Sequence, residues 1–123
     1  MVRESPAVPP LKPLVFQILL VLADGEQHGW VLVRDLQERT GVRILPGNLY
    51  RTLRAMRAAG LIDEVDTPPA ARVSALPDTG ANADRRRYFR LTPLGRDAAR
   101  VEARRLESLV AESRAKRILR AWR

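Results

Sequence analysis

The sequence predicts a mainly α chain with a small β-hairpin: a winged helix-turn-helix followed by a long C-terminal helix. Three observations carry this fold class. Leu49, Leu53 and Met56 recur at i, i+4 and i+7 and share one face of a helix, with Pro46 suited to its first position and Gly60 to the residue just past its end. Two runs of strand character lie beyond that helix. Residues 61–65 are apolar-led, and Arg87, Phe89 and Leu91 alternate with Arg86, Tyr88 and Arg90. Finally, Thr92 and Pro93 form a helix start signal, N-cap then first helical position, and apolar stripes at helical spacing follow them.

The elements follow in order. Residues 1–11 hold Pro6, Pro9 and Pro10 and are expected to be an extended, loosely held arm. Residues 12–91 make the winged-helix domain. Its first helix, over about 12–23, is apolar on nearly all sides, which places it centrally or at a subunit interface. Asp24 and Gly25 signal a turn. A second helix over about 28–40 turns Trp30, Val33 and Leu36 inward and Arg34, Asp35, Glu38 and Arg39 outward, and Gly41 ends it. The third helix is the one that Pro46 opens. Residues 67–84, rich in proline, alanine and small polar residues, read as a long wing tip. Residues 92–123 form the fourth helix, expected to run to about Ala121.

This fourth helix needs a partner. Its apolar stripe begins with Leu94, Ala98 and Val101, shifts to Leu106, Leu109 and Val110, and shifts again to Ile118, Leu119 and Trp122. Such shifts exclude a long regular coiled coil, yet one small domain cannot cover so much apolar side chain. Pairing with the same helix of a second copy is the simplest solution, with Leu94, Val101, Leu106, Leu109 and Val110 at the interface of a homodimer.

Composition bounds the function. The chain has 123 residues, 46% of them apolar, a globular balance for one domain with a helical extension. Its formal charge of +8 points to a polyanionic partner. The excess is local: residues 1–66 carry eight basic and eight acidic side chains, residues 67–123 fourteen and six. Without cysteine there is no disulfide, thiolate metal site or cysteine nucleophile. His28 is the only histidine and opens a helix, so a turn-stabilising role is expected, and neither a zinc site nor a Ser-His-Asp triad can be assembled. No glycine-rich phosphate loop appears. No enzyme activity, metal or cofactor is expected. Residues 14–23 mimic the apolar core of a signal peptide but lack its cleavage pattern. No stretch is long enough to span a bilayer, and a cytoplasmic protein is expected.

Double-stranded DNA is the polyanion that fits. Opposite the apolar stripe of the third helix lie Gly47, Arg51, Arg54 and Ala58, with Asn48 to one side. Gly47 lets the backbone approach closely. Asn48 and Arg51 are placed for base edges, because a guanidinium binds guanine through two hydrogen bonds. Arg54 and Tyr50 are assigned to phosphate. Arg85, Arg86 and Arg87 flank the wing and reach for phosphates or a narrow minor groove, or else form a solvated hairpin edge. The alternative is a winged-helix interaction module whose basic face and last helix engage a protein.

Over residues 16–95 the chain resembles the PadR-like transcriptional regulators. Four ordered signatures carry the resemblance: His28-Gly29-Trp30; Pro46-Gly47-Asn48-Leu49-Tyr50-Arg51-Thr52-Leu53; Gly60-Leu61-Ile62; and Arg86-Arg87-Tyr88-Phe89-Arg90-Leu91-Thr92 with Gly95. The resemblance implies a homodimeric repressor with its third helix in the major groove, its wing near the minor groove and its fourth helix forming the dimer. In some members, aromatic residues near the dimer interface stack on flat effectors. That makes a small aromatic or hydrophobic effector an implied partner; Trp122, near the chain end, either contacts it or caps the dimer, while the spacing of Trp30 reads as core. The chain departs from the pattern at Leu45, where the family often has Ser or Thr, and in its long wing connection.

Overall fold

The structure, a computed structural model, describes residues 10–65 and 88–120. The expected wing tip, Arg85, Arg86, Arg87, Trp122 and all but the last two residues of the expected N-terminal arm lie outside the described residues.

Local rules set most of the helix ends. Helix α1 (Pro13–Leu22) starts from an extended Lys12 with proline at its first position. Two residues form strand β1 (Gln27–His28), and helix α2 (Gly29–Thr40) follows. His28 is the N-cap of α2, its Nδ1 accepting from the Trp30 N–H at 3.1 Å, and Gly41 ends the helix at φ 70°. Helix α3 (Pro46–Ala58) closes in a paired turn: the Gly60 N–H donates to the Arg57 carbonyl and the Leu61 N–H to the Met56 carbonyl, both at 3.0 Å, with Gly60 at φ 81°. Strands β2 (Ile62–Val65) and β3 (Tyr88–Leu91) pair antiparallel, with Ile62 opposite Leu91 and Val65 opposite Tyr88. β1 pairs with the other edge of β3, which makes a three-stranded sheet in the order β1-β3-β2 rather than the expected two-stranded hairpin.

Helix α4 (Pro93–Ala115) begins as expected, the Thr92 hydroxyl accepting from the Gly95 N–H at 2.9 Å. The same hydroxyl donates to the Gly60 carbonyl at 2.6 Å, and the Thr92 N–H donates to the Leu61 carbonyl at 3.2 Å. The start of α4 is thereby docked onto the turn that ends α3.

The far end of α4 differs from expectation. The helix stops at Ala115, not near Ala121, so Ile118 and Leu119 are not a helical stripe. Arg117 takes a left-handed conformation at φ 65°, the Ile118 N–H donates to the Ser113 carbonyl at 2.8 Å, and the Arg117 N–H donates to the Arg114 carbonyl at 3.0 Å. This is the closing turn that usually carries glycine.

Ile18, Leu19, Leu32, Leu36, Leu49, Leu53 and Ile62 form the innermost core, joined by Met56 and Phe89. Trp30 does not belong to it. Its side chain is 43% exposed, whereas Gly29, Leu32 and Leu36 form the inner face of α2 and Val33 only flanks it. Trp30 stands two residues from Leu32, about 200° round the helix. α1, expected to lie centrally or at a subunit interface, buries Ile18, Leu19, Val21 and Leu22 within one chain and packs on α4 of the same chain; Leu20 remains exposed. Among the described residues no helix is long and apolar enough to cross a membrane.

Candidate nucleic-acid interface

α3 is held from three sides. Leu49, Leu53 and Met56 anchor it in the core. The turn before it is tied to α2 by the Ile44 N–H, which donates to Gln37 Oε1 at 2.8 Å. In its last turn, Arg57 pairs with Glu64 of β2, the strand that follows it. A helix fixed in this way presents its opposite face without freedom to roll.

That face carries Gly47, Asn48, Arg51 and Arg54, all exposed. The Arg51 guanidinium donates to Asn48 Oδ1 at 3.2 Å, so the two expected base-reading side chains form one exposed pair. Arg54 has no ion-pair partner among the described residues, and its charge is open to solvent. Nothing stands within 4 Å of where a Cβ at Gly47 would lie, so its backbone is open to close approach from outside. Tyr50 departs from its expected role. It is half-buried, packs against the core, and its hydroxyl oxygen is buried, so it is not offered to phosphate in this structure.

At the head of α3, Leu45 occupies the N-cap with no side-chain hydrogen bond and is 60% exposed. An uncapped start costs about 1 kcal/mol relative to a polar cap and leaves first-turn N–H groups facing outward. The exposed Arg43 stands in the turn leading to Leu45. It escaped the sequence reading, although an arginine three residues before Pro46 was an available signal. On the sheet, Arg90 faces Asp63 across the strands at 3.5 Å, both about half exposed, and its charge is partly spent on that pair.

Between the start of α1 and one flank of α3 lies an open cavity of about 620 Å³. Leu11 and Val15 line it from the α1 side, and Ala55, Met56 and Ala59 from α3. Lys12, Asn48 and Arg51 stand on it as well. The α1 side of the cavity is tied to α4. The Leu11 N–H donates to Glu102 Oε1 at 3.2 Å, and Arg105 Nε donates to the same oxygen at 3.1 Å. Glu102 is only 4% exposed. The Arg105 hydrogen bond holds its carboxyl below the usual range and outweighs burial, which pushes it up; the Leu11 N–H adds to the lowering.

Along α4, Leu94, Val101, Leu109 and Val110 are exposed and Leu106 is half-buried. Among the described residues no group of three or more His, Asp or Glu side chains is placed to hold a metal ion.

Comparison with known proteins agrees with the fold. The model of the transcriptional regulator PadR-like family matches residues 18–101. The chain is 37% identical over 95 residues to the transcriptional regulator Rv3488 of Mycobacterium tuberculosis, covering 77% of this chain and 77% of that protein. The fold superposes on a PadR family transcription regulator from Clostridium difficile R20291 with a TM-score of 0.63 and 18% identity, over 83% of this chain and 95% of that one. A PadR-like transcriptional regulator from Bacillus cereus gives a TM-score of 0.62 at 17% identity, over 89% and 93%. With the family model spanning residues 18–101, from the core of α1 into α4, the chain belongs to the PadR-like family of transcriptional regulators.

Proposed function

We propose that the protein is a DNA-binding transcriptional repressor that grips an inverted-repeat operator as a homodimer. The observation that carries this reading is the exposed Asn48–Arg51 pair on a helix locked into the core, with the open charge of Arg54 beside it. Arg51 and Asn48 read base edges, Gly47 allows close approach, and Arg54 and Arg43 hold phosphate. Arg85, Arg86 and Arg87 are assigned to the wing's backbone contacts. Four exposed apolar side chains along α4 call for cover, and a twofold pairing of α4 helices supplies it. Two α3 helices related by that axis would meet DNA one helical turn apart, or a multiple of it. A cytoplasmic location follows from such a target.

The test is binding to duplexes selected from a random pool. Log affinity is expected to fall linearly with log salt, by about 0.9 per phosphate contacted. Arg51→Ala should relax preference at one position per half-site and cost roughly 1–3 kcal/mol. A folded protein that fails to bind any duplex at low salt refutes the reading and leaves a protein-binding module. Leu109→Asp should convert dimer to monomer in sedimentation, and an unmodified chain that sediments as a monomer at micromolar concentration refutes the dimer.

A further inference from the structure

We infer that the cavity between α1 and α3 binds an amphipathic monocarboxylate, an aliphatic chain ending in a carboxylate, whose head group competes with DNA for Arg51. The competition rests on the DNA-reading role proposed for Arg51; the binding does not.

The volume of about 620 Å³ lies inside the range of small-molecule sites, roughly 300–1,000 Å³. Most of its lining is apolar, and the exposed Ala55 and Ala59 leave the room that larger residues on that flank of α3 would fill. No lining residue is acidic, whereas Lys12 and Arg51 are cationic. A cationic ligand would meet like charge with no counter-ion. A wholly apolar one would leave both cations unmatched. An apolar chain with a single anionic end satisfies both parts of the lining.

The polar end has one favoured seat. The Thr52 hydroxyl is engaged with the Asn48 carbonyl at 3.0 Å, so Arg51, Lys12 and the Asn48 amide remain for a head group. Arg51 holds Asn48 Oδ1 through a neutral acceptor at 3.2 Å in an exposed setting. A carboxylate offers it a charge-assisted, two-point bond, roughly twice as strong. The opposite wall is preformed, because Glu102 pins the Leu11 backbone to α4. A guanidinium drawn into the cavity is turned from the outer face of α3.

The experiment titrates the full chain, without DNA, by calorimetry. The probes are decanoate below its micelle concentration, decan-1-ol and decyltrimethylammonium. Decanoate is expected to saturate one site per chain, decan-1-ol to bind at least tenfold more weakly and the cation not at all. Ala55→Phe and Ala59→Leu fill the cavity from exposed positions and should abolish decanoate binding while keeping the thermal midpoint. Arg51→Gln should weaken it about tenfold or more. Glu38→Gln, on the exposed face of α2, should leave it unchanged. Equal binding of the cation, binding retained in both filled variants, or binding lost only in Glu38→Gln overturns the site. With decanoate at ten times its Kd, affinity for the selected duplex should fall about elevenfold, as mutual exclusion requires. Unchanged duplex affinity with decanoate bound overturns the competition. Decanoate binding by a protein that ignores DNA supports the site and sinks only the repressor reading.

Discussion

Gly95→Ala tests the junction between α3, β2 and α4 through the sign of its effect. Gly95 is the third residue of α4, and helix propensity alone favours alanine there by about 1 kcal/mol. The structure opposes this. A Cβ at Gly95 would stand 2.0 Å from the Leu61 carbonyl oxygen and 2.9 Å from Leu91 Cδ1. The side chain of Leu91 can rotate, but the carbonyl cannot retreat alone. Leu61 is held through its N–H by Met56, and its carbonyl accepts from the Thr92 N–H at 3.2 Å. Relief requires α4 to lift. That breaks the Thr92 N–H bond and strains the Thr92 hydroxyl bond to Gly60, worth about 1 kcal/mol each. Overpacking adds roughly 1–3 kcal/mol. After the propensity gain, a net loss of about 2–4 kcal/mol is expected. Urea unfolding followed by helical circular dichroism, at fixed protein concentration, should show a lower midpoint with unchanged slope. A variant as stable as the parent, or more stable, refutes the docking of α4 on the α3 turn.

Three further outcomes are expected. Gly47→Ala, with nothing within 4 Å of the new methyl, should raise stability by about 0.4–1 kcal/mol yet weaken operator binding, and equal duplex affinity by anisotropy would remove Gly47 from the interface. Arg117→Gly should stabilise the end of α4 by about 1 kcal/mol in the same unfolding assay, because glycine meets no penalty at φ 65°; a loss would place the Arg117 side chain in a stabilising contact. The folded pKa of Glu102 lies below the ordinary glutamate value of 4.5, so its ionised form contributes stability above that value, and the contribution is lost as pH falls through the lower folded value. The parent should therefore exceed Glu102→Gln at pH 7 by a margin that narrows below pH 4.5, and a margin constant with pH would mean that the carboxylate charge contributes nothing.

What was legible in the sequence obeyed local rules, and what was missed depended on distant partners. Pro46, Gly41, Gly60 and Thr92 each mark a helix end within a few residues of themselves, and the structure has those ends. The inner stripe of α3 was legible because period 3.6 alone defines it. Trp30 was misplaced because its spacing from Val33 also fits that period, while Leu32 and Gly29 take the inner face only once α1 is in place. β1 is two residues long and has no strand pattern of its own; it is a strand because β3, some sixty residues later, pairs with it. The end of α4 was missed for the opposite reason: its closing turn uses arginine where the local rule asks for glycine. Of the interface, the Asn48–Arg51 pair follows from spacing of three on a helix, whereas the burial of the Tyr50 hydroxyl needs the assembled fold.

Two signatures that read as separate signals are one physical unit. Gly60-Leu61 and Thr92 with Gly95 lie about thirty residues apart in sequence, but their backbones and one hydroxyl close a single hydrogen-bonded knot. Gly60 is needed for the left-handed turn and Gly95 for contact with the carbonyl that this turn presents. A second tie, from Glu102 to the Leu11 backbone, fastens the middle of α4 to the start of α1. α4 is thus attached at two points, one at the C-terminal end of α3 and one at the cavity wall facing its flank. A single attachment would let α4 swing about a hinge. Two attachments about seven residues apart along α4, from Gly95 to Glu102, span roughly 10 Å of helix and define its direction relative to α3. The apolar face of α4 and the outer face of α3 therefore belong to one frame, and the spacing of any paired α3 helices is set by how two such frames meet.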